Sequence, residues 1–203
     1  MSQGTFRGKT GGNLPQIRSV CLIALGANYP FGEGDAKETI LKGISAIQKD
    51  LGVIRSKSML YRTPAFPSGS GPDFVNAALK VETDLSMAEL LSGMHRIEAQ
   101  FGRERKTRWA PRTLDLDLIS YDDVIAPDRK TFDQWAALSL EKQMQDTPDD
   151  LILPHPRMHE RAFVLIPLSD VAPDWIHPVF GKTVSQMVDG LSADAVSEVE
   201  RLQ

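Results

Sequence analysis

The spacing of apolar residues predicts an α+β fold. Its core is a ferredoxin-like βαββαβ unit, an antiparallel sheet packed with helices on one face, with C-terminal additions. Two observations lead there. Wholly apolar or alternating runs mark four strands. Two segments with apolar residues at helical spacing follow the first and the third of them.

The elements follow in order. Residues 20–25 (Val-Cys-Leu-Ile-Ala-Leu) are apolar throughout and closed by Gly26, as a buried central strand requires. Residues 35–51 form a helix whose Ile40, Ile44, Ile47 and Leu51 make one stripe. Asp35 is placed to cap it with Glu38 to reciprocate, and Gly52 ends it. Residues 53–63 form the second strand, and Pro64, Pro67, Gly69, Gly71 and Pro72 mark a turn-rich loop after it. Over 74–83 the third strand alternates, with Val75, Ala77, Leu79 and Val81 on one face and Phe74, Asn76, Ala78 and Lys80 on the other. Ser86 and Glu89 spell a capping box before a helix that buries Leu90, Met94, Ile97 and Phe101 and stops at Gly102. Residues 114–121 alternate again as the fourth strand.

Residues 1–18 are polar and glycine-rich and read as a disordered N-terminal arm, which leaves 19–203 as a single domain. An insertion is expected at about 122–150, where Phe132, Trp135 and Leu138 mark a short amphipathic helix of no assigned function. Beyond Leu151, Pro154, Pro156, Pro167, Pro173 and Pro178 interrupt every period.

The 203 residues are 41% hydrophobic and carry a net charge of −4. Such a chain buries a core without staples, and nothing global attracts nucleic acid or an anionic membrane. No stretch is apolar enough to span a bilayer, and the N-terminus lacks the apolar core of a signal peptide. The expectation is a cytoplasmic monomer with small-molecule partners, no nucleic acid and no membrane. The single cysteine, Cys21, forms no intrachain disulfide and reads as a buried thiol.

The chemistry concentrates in residues 102–118. Asp115 and Asp117 are two apart on a strand, so both carboxylates face one way while Leu114, Leu116 and Leu118 face the core. Like charges held so close call for a shared proton or a cation, and hard oxygen ligands suit Mg²⁺. A pair of solvated surface acids is the plainer alternative. Arg103, Arg105, Lys106, Arg108 and Arg112 stand directly before them, a local anion site in a net acidic chain. Cations at a helix C-terminus explain Arg103 but not Arg112, which follows Pro111. Trp109 among them can stack on a flat ligand or anchor the loop. Acids, guanidinium groups and an aromatic plate together suggest nucleotide phosphoryl chemistry. No Walker A loop is present: Gly181-Lys182-Thr183 lacks its upstream glycine, since position 176 is Ile. His155 and His159, spaced i and i+4, fit phosphate contact at His155 better than a zinc pair, while His177 reads as surface.

Several colinear segments resemble one family: ALGAN at 24–28, YRTPA at 61–65, DFVNAA at 73–78, RIE at 96–98, GR-x-R at 102–105, RW-x-PRTLDLD at 108–117 and LPHPRMHERAF at 153–163. The chain looks like a 6-hydroxymethyl-7,8-dihydropterin pyrophosphokinase of folate biosynthesis, and the run PRTLDLD is the specific part. The resemblance implies ATP as co-substrate with two Mg²⁺ ions on Asp115 and Asp117, attack of the pterin hydroxyl on the β-phosphorus, and departure of AMP. It implies catalytic roles for Arg103, Arg105, Arg112 and Asp117. The nucleotide would meet His95, Glu98, Arg105, Trp109, Arg112, His155 and Arg161. The pterin would meet Thr63, Ala65, Phe66, Phe74, Asn76, Trp109 and Phe163, with the Trp109 and Phe163 rings as its sandwich. Ala65 and Phe74 stand where some relatives carry Pro and Tyr, and the 122–150 insertion replaces basic or hydroxyl residues on the nucleotide side. Independently, Asn76 and Phe74 share a strand face, as a pocket floor requires, and an amide reads a pterin edge with both donor and acceptor. Two rivals stand beside this: an RNA-binding sheet, which would show salt-dependent RNA binding, and a ligand-binding regulatory domain without turnover.

Overall fold

A computed structural model describes residues 18–65, 69, 71–102, 113–139, 142, 146–148 and 150–203. All of the expected N-terminal arm except Arg18 lies outside them. Strands β1 (Ser19–Ala27), β2 (Val53–Lys57), β3 (Tyr61–Thr63), β4 (Phe74–Thr83) and β5 (Asp115–Tyr121) form one antiparallel sheet. Its order is β5-β1-β4-β3, with β2 also on β4 and a short β6 (Glu200–Arg201) on β3. The expected ferredoxin-like arrangement is present, with β1 at the centre between β4 and β5.

Helix α1 (Ala36–Asp50) starts where Asp35 accepts a hydrogen bond from Glu38 N at 2.8 Å. Helix α2 (Met87–Gln100) starts with both halves of the capping box made between Ser86 and Glu89. It ends before Gly102, whose φ of +75° suits glycine. The stripes of both helices meet Cys21, Ile23, Leu25 and Ala27 of β1 and Val75, Ala77, Leu79 and Val81 of β4 in one core. Each Ile, Leu or Val among them contributes roughly 1.5–3 kcal/mol through its removal from water.

Two features differ from the sequence reading. The second strand is broken. Ser58 Oγ accepts the Ala78 N–H at 2.8 Å, and Met59 N–H turns away to Asp170 at 3.0 Å. A side chain thus replaces a rung of the ladder, splitting β2 from β3. The second sheet face is also covered. Helix α4 (Ala162–Val171) lays Val164, Leu165 and Leu168 on Leu22, Ala24, Ala78 and Ile119. Helices α5 (Val184–Asp189) and α6 (Ala193–Ser197) follow it. Buried on most sides and holding Pro167, α4 has no polar stripe to betray it.

The expected amphipathic segment forms helix α3 (Arg129–Ala136), capped by Asp128. Phe132 is its fully buried residue, with its ring 5.6 Å from His177 and 5.7 Å from Phe180. Leu138 falls just past the helix end.

Candidate active site

The site is built on the face of the sheet that α4 covers only in part. β5 pairs Asp115 with Gly26 and Asp117 with Ala24, and β1 in turn pairs Gly26 with Asn76 and Ala24 with Ala78. Both carboxylates therefore rise on one face, half-buried, beside a floor of small residues. A methyl group at Gly26 would lie 3.4 Å from Asn76 Oδ1 and 3.8 Å from the Phe74 ring, so glycine keeps that floor low. Asn76, 5% exposed, donates Nδ2 to Thr63 Oγ1 at 2.9 Å and is held in one orientation. Thr63 pairs with Phe74 across the ladder, and Ala65 is buried just beyond. Phe163, in the first turn of α4, leaves 41% of its surface exposed, with Arg161 Cζ 5.7 Å from its ring centre.

A cleft of about 300 Å³ takes in Asp115 and Asp117 and is walled by His95 and Glu98 of α2, Trp135 of α3, and His155, Pro156, Arg157 and Arg161. The Glu98 carboxylate, 2% exposed, accepts the Leu116 N–H at 2.9 Å, so it fixes the strand that carries the acids. His155 N–H bonds to Ile119 O at 2.8 Å, at the irregular end of β5. Its Nδ1 accepts the Arg157 N–H at 3.2 Å, which leaves Nε2 to carry the proton. Burial, then the Arg161 charge, pushes the His155 pKa down to about 3, so a neutral donor stands here near pH 7. Burial also lowers the pKa of Arg161, which Asp117 partly opposes, and that opposition puts the guanidinium in the field of the acid pair.

The structure thus brings together Asp115, Asp117, His95, Glu98, His155 and Arg161 at the cleft, and Thr63, Phe74 and Asn76 on the neighbouring floor, with Ala65 buried past the end of β3. Phe66, Arg103, Arg105, Trp109 and Arg112 lie outside the described residues. His177, expected on the surface, is fully buried: its Nδ1 accepts the N–H groups of Val179 and Phe180, and its ring stacks on Phe180 at 4.3 Å. Pro178 made that stretch look like an exposed turn, and the aromatic neighbours lie too near and too far in sequence to show a period. His159 packs edge-on against Phe180 at 4.7 Å, in surroundings unlike those of His155. Sequence reasoning missed the small floor residues Ala24 and Ala78 and the cleft residues Trp135 and Arg157. Only the amphipathic spacing of α3 gave any signal for Trp135.

Comparison with known proteins identifies the family and the fold. Residues 22–173 match the family described as 7,8-dihydro-6-hydroxymethylpterin-pyrophosphokinase (HPPK). The 2-amino-4-hydroxy-6-hydroxymethyldihydropteridine pyrophosphokinase of Synechocystis is 34% identical over 91% of this chain and 82% of its own length. That of Haemophilus influenzae is 33% identical over 82% and 92%. Among solved structures, Plasmodium falciparum wild-type HPPK-DHPS shares the fold with a TM-score of 0.62 at 14% identity, covering 86% of this chain and 45% of that one. The chain belongs to the HPPK family and is an enzyme of the pyrophosphokinase class.

Proposed function

We propose that the enzyme transfers pyrophosphate from ATP to the hydroxymethyl group of 6-hydroxymethyl-7,8-dihydropterin, releasing AMP, as a cytoplasmic monomer in folate biosynthesis. One observation carries the reading. The acid pair stands between an amide-bearing floor, Asn76 with Phe74, and a cleft that holds a guanidinium and a neutral imidazole.

Asn76, oriented by Thr63, offers an amide to the pterin edge, while Phe74 and Phe163 supply ring faces. In the cleft, Arg161 and the Nε2–H of His155 meet phosphate oxygens. The donor set fits magnesium: two oxygen ligands on one face, with phosphate and water to complete the shell. Asp115 and Asp117 would hold two such ions, which when bound offset phosphate charge and lower the barrier to attack. The hydroxymethyl oxygen forms a bond to the β-phosphorus as the bond from that phosphorus to the α–β bridging oxygen breaks. AMP leaves with the bridging oxygen, and the hydroxyl proton is released to solvent. The residues act by alignment and charge, without a covalent intermediate. Arg103, Arg105 and Arg112 are proposed to steady the leaving oxygens, and Trp109 to close over the pterin.

Product analysis tests this directly. The enzyme incubated with ATP, Mg²⁺ and the pterin is expected to yield AMP and pterin diphosphate in equal amounts, and nothing when magnesium is chelated. Formation of ADP would rule the reaction out.

A further inference from the structure

The segment at about 122–150 carries no role in the reading above, yet it builds one wall of the cleft. Trp135 lines the space that holds Asp115, Asp117 and Arg161, and the later part of the segment adds Asp146, Pro148 and Asp150. Helix α3 presents this tryptophan from a fixed base. Asp128 accepts both the N–H and the hydroxyl of Thr131, at 3.0 and 2.9 Å. Three residues ahead of Trp135, Phe132 is fully buried against His177 and Phe180. Trp135 itself is only half-buried and is among the residues that line the cleft.

Charge sorts the cleft walls. Arg161 sits within the field of Asp115 and Asp117, where phosphate and cation would gather, and Arg157 lines the same cleft. The segment's own contribution includes an aromatic ring and no cation among its described lining residues, which suits an uncharged planar group. A nucleotide with its phosphates at the acid pair has one such group left to place, its base.

We propose that Trp135 stacks on the base of the nucleoside triphosphate and makes the 122–150 segment a determinant of nucleotide affinity. The proposal rests on the reading of this cleft as the ATP site. Base–aromatic stacking contributes about 1–3 kcal/mol by truncation, or roughly ten- to a hundredfold in affinity.

The test is calorimetric titration of the full chain with magnesium ATP and, separately, with magnesium tripolyphosphate, which has the phosphates but no base. Trp135→Leu, which keeps apolar bulk without a ring, is expected to weaken ATP about tenfold or more while tripolyphosphate stays within about twofold. Trp135→Phe restores ATP to within about threefold of the parent, because a flat ring returns. If Trp135→Leu binds ATP like the parent, or loses ATP and tripolyphosphate equally, the stacking role is wrong. If the parent itself binds no ATP while Asp117→Ala behaves identically, the nucleotide reading of the cleft falls, and the stacking role falls with it.

Discussion

Asp117 and Glu98 show how unlike two acids can be on adjoining elements. Asp117 is half-buried beside Ala24 and faces the cleft. Asp117→Ala is expected to cut turnover by about a hundredfold or more, the scale of a lost electrostatic stabiliser, with the melting temperature little changed. Glu98 instead holds the Leu116 N–H from a buried position. Glu98→Ala leaves that donor unpaired and is expected to cost about 1–3 kcal/mol in denaturant unfolding. Glu98→Gln, which keeps an acceptor, is expected to cost less. The histidines set the pH dependence. His155 is held near 3 and His177 near 4, in both cases chiefly by burial, and His159 is shifted the same way. Unfolded histidine titrates at about 6.5, so between there and the folded values the unfolded chain binds more protons. Stability is therefore full above about 6.5 and declines as the pH falls toward 4. A chemical-denaturation series across that range checks it, and His177→Gln is expected to flatten the decline.

At the scale of elements, α1, α2 and β4 were legible because each shows one periodic face to one core. Asp35 and Ser86 mark the helix starts as the capping rules require. The split of β2 from β3 was illegible because it depends on where Ser58 Oγ meets β4, a tertiary contact with no local signature. Helix α4 was illegible for a related reason: an element wedged between a sheet and further helices needs no polar side. The site was legible in the same uneven way. Strand parity puts Asp115 with Asp117, and Phe74 with Asn76, on a shared face, while their expected ligands came from the family resemblance. The low floor at Gly26, Ala24 and Ala78 emerges only when three strands are aligned. Element α3 offers a separate test. Phe132→Ala removes its buried anchor, a change of the kind that costs about 3–5 kcal/mol. Hydrogen exchange is expected to show the amides of 129–136 losing protection before those of β1 and β4.

Across the whole molecule, both sheet faces are in use, and β1 divides them. Its Cys21, Ile23 and Leu25 serve the helical core, while Leu22 packs under α4 and Ala24 and Gly26 underlie the site. The floor on β3 and β4 and the cleft beside β5 thus lie on one sheet, and the proposed reading assigns the pterin to the first and the nucleotide to the second. Asn76→Leu is expected to lower pterin affinity by about tenfold or more, from one hydrogen-bonding group replaced, while ATP binding by calorimetry stays near the parent value. Equal losses for both ligands would mean that the floor had collapsed.

The place of Cys21 has a practical outcome. It is the chain's sole sulfhydryl, it is wholly shielded on the middle strand, and burial lifts its pKa to about 12. A disulfide-exchange dye added to the native enzyme would thus find no target until the sheet parts. The speed of labelling then clocks rare large-scale openings in a single colorimetric trace, and any ligand seated on that sheet should slow it.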